Sequence, residues 1–211
     1  IEVTLELWRS GDDWLILGGG SNLVVADEVE DLHVIKVETK GIQSFTSADG
    51  NKTLLRVQAG ENWDDFVNHA IDHGLAGVEG MAGIPGTVGA GPVQNIGAYG
   101  QELSDTFVRL EFVDYETHEI VILDKADLEF GYRDSVIKRG RPGLITWVEL
   151  ELEHFGGLSA PITSGQIAGA FGVELGDQLL QALARLLGQC FEIGRFQRHV
   201  RARRLAARRG N

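Results

Sequence analysis

The sequence predicts an α+β fold of two lobes, and three observations predict it. Short strand-like runs and helix-like periods follow one another in no regular βαβ alternation. Two glycine-rich segments, near residues 18–22 and 77–100, interrupt them. The chain has 211 residues and is 43% hydrophobic, enough to bury one sizeable core or two small ones.

The elements follow in chain order. Trp14-Leu15-Ile16-Leu17 is an apolar run that stops at Gly18-Gly19-Gly20, and Leu23-Val24-Val25 comes next. The pattern predicts strand, glycine turn, strand, because no helical period follows the glycines. Val34 to Val37 and Leu54 to Val57 are further strands, with Ser47 to Asn51 as a turn between them. Trp63, Phe66, Val67, Ala70 and Ile71 recur at helical spacing, with Asn62 as N-cap and Gly74 as stop. A short helix is expected near Thr87 to Ala90. Val108, Leu110 and Phe112 alternate, and Ile120 to Leu123 returns after a turn at Tyr115 to His118, the pattern of a hairpin. Asp124 can cap a short helix through Leu128. Leu144 to Leu152 alternates as a late strand, with Ile145, Trp147 and Glu149 on one side. Ser164 to Phe171 begins another helix. The lobe boundary is expected near residues 50–60.

Composition narrows the function classes. The net charge of −12 disfavours nucleic acid as a partner, since phosphate backbones need a basic surface. No segment approaches the roughly 18 apolar residues of a membrane span, and no leader is evident, so a cytoplasmic location is expected. The lone Cys190 offers no internal disulfide and fits a reducing compartment. His69 and His73 stand four apart on the Trp63–Ile71 helix without a third ligand, so no metal is expected. Charge is unevenly spread. Val57 through Val108 holds no Lys or Arg, whereas Arg185, Arg195, Arg198, Arg201, Arg203, Arg204, Arg208 and Arg209 crowd the end. The shift marks a boundary near Gly176.

The glycine segments carry the chemistry. In Gly18-Gly19-Gly20-Ser21-Asn22, glycines permit positive φ and close approach, and successive N–H groups can form an anion-binding nest. No Gly-Lys-Ser/Thr follows, and a helix does not come next, so neither a Walker A loop nor a Rossmann fingerprint fits. Taken alone, a tight turn without a ligand explains this motif as well. Gly83-Ile84-Pro85-Gly86-Thr87-Val88-Gly89 then leads into Gln94-Asn95-Ile96-Gly97-Ala98-Tyr99-Gly100. So much glycine costs folding entropy that structural turns seldom require. With no cation nearby in sequence, a pyrophosphate there would be held by backbone amides and a helix N-terminus. A mobile surface loop is the alternative, and Ile84, Val88, Val93 and Ile96 speak against full exposure.

With Phe130-Gly131-Tyr132-Arg133-Asp134-Ser135, these motifs occur in the order and spacing of one family. From about Trp14 to Gly176 the chain resembles UDP-N-acetylenolpyruvoylglucosamine reductases, flavoenzymes of peptidoglycan precursor synthesis. The resemblance implies the two-lobed FAD-binding fold of the vanillyl-alcohol-oxidase (PCMH) type with an incomplete C-terminal substrate domain. On it, residues 1–153 form the FAD-binding domain, 154–176 the start of the substrate domain, and 177–211 a basic tail outside the family. It places the FAD pyrophosphate on Gly18, Gly19, Gly20, Ser21, Asn22 and Leu23 and on Gly83, Ile84, Pro85, Gly86, Val88 and Gly89. Asn95, Gly97, Ala98 and Tyr99 would lie near the flavin ring. The first turn has no His or Cys, so FAD is expected to be non-covalent.

In this family NADPH reduces FAD, and the reduced flavin passes a hydride to the enolpyruvyl group of the UDP-sugar. An isolated arginine is most often a surface ion pair. Arg133, however, matches the family arginine that stabilises the enolate, and a guanidinium can grip a carboxylate with two hydrogen bonds. Tyr132 is expected beside it at the substrate. A Thr-x-Arg-x-Gly-Gly type motif ahead of the first turn and a Gly-Ser-Phe-Phe type motif after Gly176 have no match, so truncation at both ends is expected. A catalytically incomplete FAD-binding remnant is therefore the alternative to an active reductase. A related flavin oxidase is a third reading, against which the Phe130–Ser135 motif argues. The Arg-rich tail reads as a frameshifted or truncated end rather than as a basic helix for an acidic partner. Oligomeric state is left open.

Overall fold

A computed structural model of the protein describes residues 1–179. Helix α1 (Glu2–Ser10) opens the chain and ends at Gly11, which takes a left-handed conformation. It was not expected from the sequence. It buries Thr4 and Trp8, four apart on one face. Strand β1 (Asp13–Leu17) follows, and its partner is the parallel strand β2 (Leu32–Lys36). The expected strand at Leu23–Val25 does not form. A short apolar run becomes a strand only if a neighbour supplies hydrogen bonds. Here β2 takes the place beside β1, and Val24 is left 97% exposed.

The main sheet is antiparallel. Strands β3 (Ile42–Thr46) and β4 (Lys52–Gln58) form a hairpin, so the Ser47–Asn51 turn joins β4 to β3 rather than to the 34–37 run. The change from the two-stranded sheet to the main sheet falls between Lys36 and Ile42. Helix α2 (Trp63–Asp72) matches its expected bounds. The Asn62 side chain accepts from the N–H groups of Asp64 and Asp65, and Gly74 takes a φ of +72°. Trp63, Phe66, Val67 and Ala70 are buried in the core. Each large apolar side chain so buried stabilises the fold by about 1.5–3 kcal/mol.

Strand β5 (Leu75–Ala76) pairs with the end of the last long strand. The expected short helix is a 3-10 turn at Val88–Ala90, followed by another at Pro92–Gln94. A small hairpin comes next, of β6 (Gly97–Ala98) and β7 (Gln101–Glu102). Helix α3 (Leu103–Thr106) leads into the hairpin of β8 (Phe107–Asp114) and β9 (Ile120–Asp124). The carboxylate of Asp124 caps helix α4 (Lys125–Leu128). Strand β10 (Gly143–His154) lies at the centre of the sheet, in the order β3-β4-β10-β8-β9. Helix α5 (Gly165–Phe171) is the last described element.

The core sits between α2, the 79–96 segment and this sheet. A second cluster joins the two sheets. Trp8 packs on Trp14 and edge-on to Tyr115, with ring centroids 5.2 and 5.3 Å away, beside Val113 and Leu144. That packing brings the loop after β1 against the 83–94 segment. The readings of Arg185 to Arg209 and of Cys190 fall outside the described residues. Among the described residues, no helix is long and apolar enough to cross a membrane.

Candidate functional site

The two glycine turns meet face to face. A Cβ on Gly19 would lie 3.0 Å from the Cα of Gly86, and one on Gly18 would lie 2.7 Å from Oγ1 of Thr87. Gly18 and Gly19 are therefore pressed against the second turn, whereas Gly20 is set by its own φ of +71°. Ser21 Oγ donates to Pro85 O at 3.2 Å, and Asn22 Nδ2 donates to Gln94 Oε1 at 3.2 Å. Gly86 itself takes a φ of +129°, a conformation that essentially only glycine adopts.

Between the turns opens a cleft of about 290 Å³, lined by Gly18 to Leu23, Pro85 to Thr87, Gln94 and Lys138 among others. A smaller, largely apolar cavity of about 140 Å³ shares Gly18 and Thr87 with it and runs toward Val37 and Ile145. The N–H groups of Gly18 to Asn22, and those of Gly86 and Thr87, donate to no other described residue. Gly18, Gly86 and Thr87 are half-buried and Gly19 to Asn22 exposed, so the cleft presents a set of accessible free donors suited to an anion.

The rest of the second turn is tied into the fold. Gly83 N donates to Asp64 Oδ1 at 2.7 Å, and Val88 N donates to Glu61 O at 2.9 Å. Gly89 packs so closely on Ala59 that a Cβ there would come within 2.5 Å of its methyl. Ile84 packs against the core.

Farther along, Asn95 is 1% exposed and sits at a φ of +44°. Its Nδ2 donates to Glu102 Oε2 and to Gly131 O, both at 3.0 Å, while its Oδ1 accepts from Ser104 N at 3.0 Å. One side chain thus ties three segments together, and its polar capacity is spent within the chain. Tyr99 and Gly100, the central residues of the β6–β7 hairpin, have φ values of +51° and +84°, as a two-residue type I′ turn requires.

Arg133 arrives from a distant segment. Gly131 and Asp134 exchange backbone hydrogen bonds, leaving Tyr132 and Arg133 at the tip of a tight turn. Arg133 takes a left-handed φ of +52°, which costs a non-glycine residue about 1–2 kcal/mol. Its guanidinium donates to Asn95 O at 3.1 Å and to Gly97 O. Gly97 permits the approach, because a Cβ there would lie 2.7 Å from Nη1 of Arg133. Two of five N–H donors are used, and the remainder are available to a carboxylate. The group also lies 5.2 Å from the ring centroid of Tyr132, which is 82% exposed. Ser135, buried, anchors the turn by donating to Val93 O at 2.7 Å.

Gly18 to Leu23, Pro85 and Gly86 therefore line one cleft together with Gln94 and Ile96, and Arg133 meets the next residue in sequence, Gly97, outside that lining. Thr87 and Lys138 also line the cleft, and neither had been placed there from the sequence. Glu79, which sequence alone could cast as an acid, is buried and accepts from the N–H groups of Gly77 and Ala160. Asp134 pairs with Arg139. The rings of His69 and His73 lie 4.1 Å apart. Burial, with His73 beside it, pushes the His69 imidazole below its usual range. Among the described residues, no group of three or more His, Cys, Asp or Glu side chains is placed to hold a metal ion.

The profile of the FAD binding domain family matches residues 2–124. A UDP-N-acetylenolpyruvoylglucosamine reductase of Leifsonia xyli subsp. xyli (strain CTCB07) is 46% identical over 181 residues, covering 82% of this chain and 48% of that protein. One from Thermobifida fusca (strain YX) is 44% identical over 179 residues, 85% of this chain and 50% of that protein. The crystal structure of UDP-N-acetylenolpyruvylglucosamine reductase from Thermus caldophilus superimposes with a TM-score of 0.55 at 30% identity, covering 71% of this chain and 53% of that one. The chain spans about half the length of the curated relatives it matches.

Proposed function

The chain belongs to the FAD binding domain family, and on that premise we propose that it is the flavin-holding part of a UDP-N-acetylenolpyruvoylglucosamine reductase. The observation that carries this reading is the meeting of three separate segments at one cleft. Two glycine turns with free amides line it, and Lys138, five residues after Arg133, lines it from a third segment. The residues fit FAD, since a pyrophosphate needs several donors at close range, and Gly19 to Asn22, Gly86 and Thr87 offer them.

Bound FAD would take a hydride from NADPH and deliver one to the enolpyruvyl group of the UDP-sugar. The chain's own contribution is to bind and orient. The first turn and Gly86 hold the pyrophosphate, and the turn from Asn95 through Gly97, Ala98 and Tyr99 carries the flavin ring. Arg133, fixed on two carbonyls of that turn, grips the substrate carboxylate and stabilises the negative charge that develops on it. Tyr132 flanks the same group. Residues 1–153 act as the FAD-binding domain and 154–176 as the entry to the substrate domain. The setting is cytoplasmic peptidoglycan precursor synthesis.

A second reading is an FAD-binding chain that does not complete the reduction by itself. It is favoured by the coverage of about half of each relative. Both readings are tested first by the cofactor. The purified protein is expected to be yellow and to release FAD on denaturation. A folded, colourless protein that takes up no added FAD overturns both.

A further inference from the structure

The stretch from Val57 through Val108, which supplies the second glycine turn, contains no Lys or Arg. The cleft nevertheless has a cation in its wall, Lys138. Its place is fixed from two sides. Ser135 Oγ donates to Val93 O and lies 3.3 Å from the backbone N–H of Lys138, which donates to it. The ammonium then donates to Arg133 O at 2.7 Å. That bond engages one of three ammonium hydrogens. The neighbouring carboxylates Glu129 and Asp134 are taken by Arg139, and Lys138 forms no ion pair with any described carboxylate. It is a cation held in place at a cleft lined by two glycine turns, with donors to spare.

We propose that Lys138 is the cationic partner of the cofactor's phosphates, its ammonium steadied by the Arg133 carbonyl while a remaining hydrogen takes a phosphate oxygen. The proposal rests on the reading that this cleft holds FAD. Neutral amides can shape a pyrophosphate site, but a charge-assisted hydrogen bond is roughly twice as strong as a neutral one. In a chain of net charge −12, a local cation also offsets the repulsion an incoming dianion meets.

The experiment is FAD titration of the apo protein, followed by flavin fluorescence, for the parent, Lys138→Met and Lys138→Arg, at low and high ionic strength. Lys138→Met is expected to weaken FAD binding by about tenfold at low salt. That ratio should shrink as salt screens the charge, and Lys138→Arg should keep most of the affinity. Parental affinity in Lys138→Met overturns the proposal. So does a weakening that salt leaves unchanged, because loss of the Arg133 carbonyl contact alone would produce it. A folded parent that binds no FAD overturns instead the underlying reading of the cleft, and the two failures are thereby told apart.

Discussion

Gly86 sits where three demands meet. Its φ of +129° excludes other residues at low cost, and its Cβ position lies 3.4 Å from Ser21 Oγ. Its N–H is among the free donors of the cleft. Gly86→Ala is expected to cost stability through backbone strain of about 1–3 kcal/mol and to weaken FAD binding in part. Gly86→Asp adds a carboxylate beside the pyrophosphate and should abolish binding altogether. Melting temperature of the apo protein and FAD titration separate the strain from the charge. Retention of parental FAD affinity in Gly86→Asp would show that this turn is not at the phosphates.

At the scale of the element, strand β10 carries an unusual load. Glu149, 1% exposed, stands opposite Arg56 on β4 and Arg109 on β8 in register. Its carboxylate accepts from both guanidinium groups at 2.6 Å, and Arg56 also stacks on Trp147 with its centre 4.2 Å from the ring. Three neighbouring strands are thus pinned by one buried acid. Burial raises the Glu149 carboxyl, but hydrogen bonds and charge from Arg109 and Arg56 outweigh it and hold it below the usual carboxylate range. Removing both arginines (Arg56→Met with Arg109→Met) leaves a buried charge without compensation, for about 3–5 kcal/mol in urea unfolding. Glu149→Gln leaves two partly exposed cations that water can serve, and should cost less. The pH dependence follows from the lowered group. Its stabilisation is complete above the unfolded value of about 4.3 and is lost as pH falls through the lower folded value. Glu149→Gln should therefore flatten the decline in melting temperature below about pH 4.5. A decline as steep as the parent's would remove Glu149 from the account.

At the scale of the whole molecule, the segment after β10 returns to the β6–β7 turn. Thr163 Oγ1 donates to Gly100 O at 3.1 Å, and buried Glu79 accepts from Ala160 N. A substrate domain continuing from residues 154–176 would thus enter beside the proposed flavin turn. On its own, a chain that spans about half of each relative is expected to show little reduction of the UDP-sugar with FAD and NADPH. Fusion to an intact substrate domain from a relative should restore turnover, and Arg133→Ala in the fusion should slow it by about 10²-fold or more. If the unfused chain matches the fusion in rate, and Arg133→Ala has no effect, the assignment of the catalytic machinery fails.

Features set within a few residues were legible in the sequence. The α2 helix with its Asn62 cap, the β8–β9 hairpin, the Asp124-capped helix and the two glycine turns are all written in local spacing and φ preference. The motif order from Trp14 to Ser135 pointed to a flavin-binding chain, and the FAD binding domain family matches residues 2–124. Only tertiary structure decided the rest. Leu23–Val25 failed as a strand because β2 paired with β1, and Ile42–Thr46 became one because β4 received it. Gly19 lies against Gly86, 67 positions later in the chain, with no room for a side chain between them. Asn95 reads as a ligand contact, and the fold also ties its side chain to Glu102, Ser104 and Gly131. A cation-free stretch acquired Lys138 across the cleft. Periodicity, caps and turns depend on neighbouring residues, whereas a site forms where remote segments are held together by packing, and no local pattern states which segments will meet.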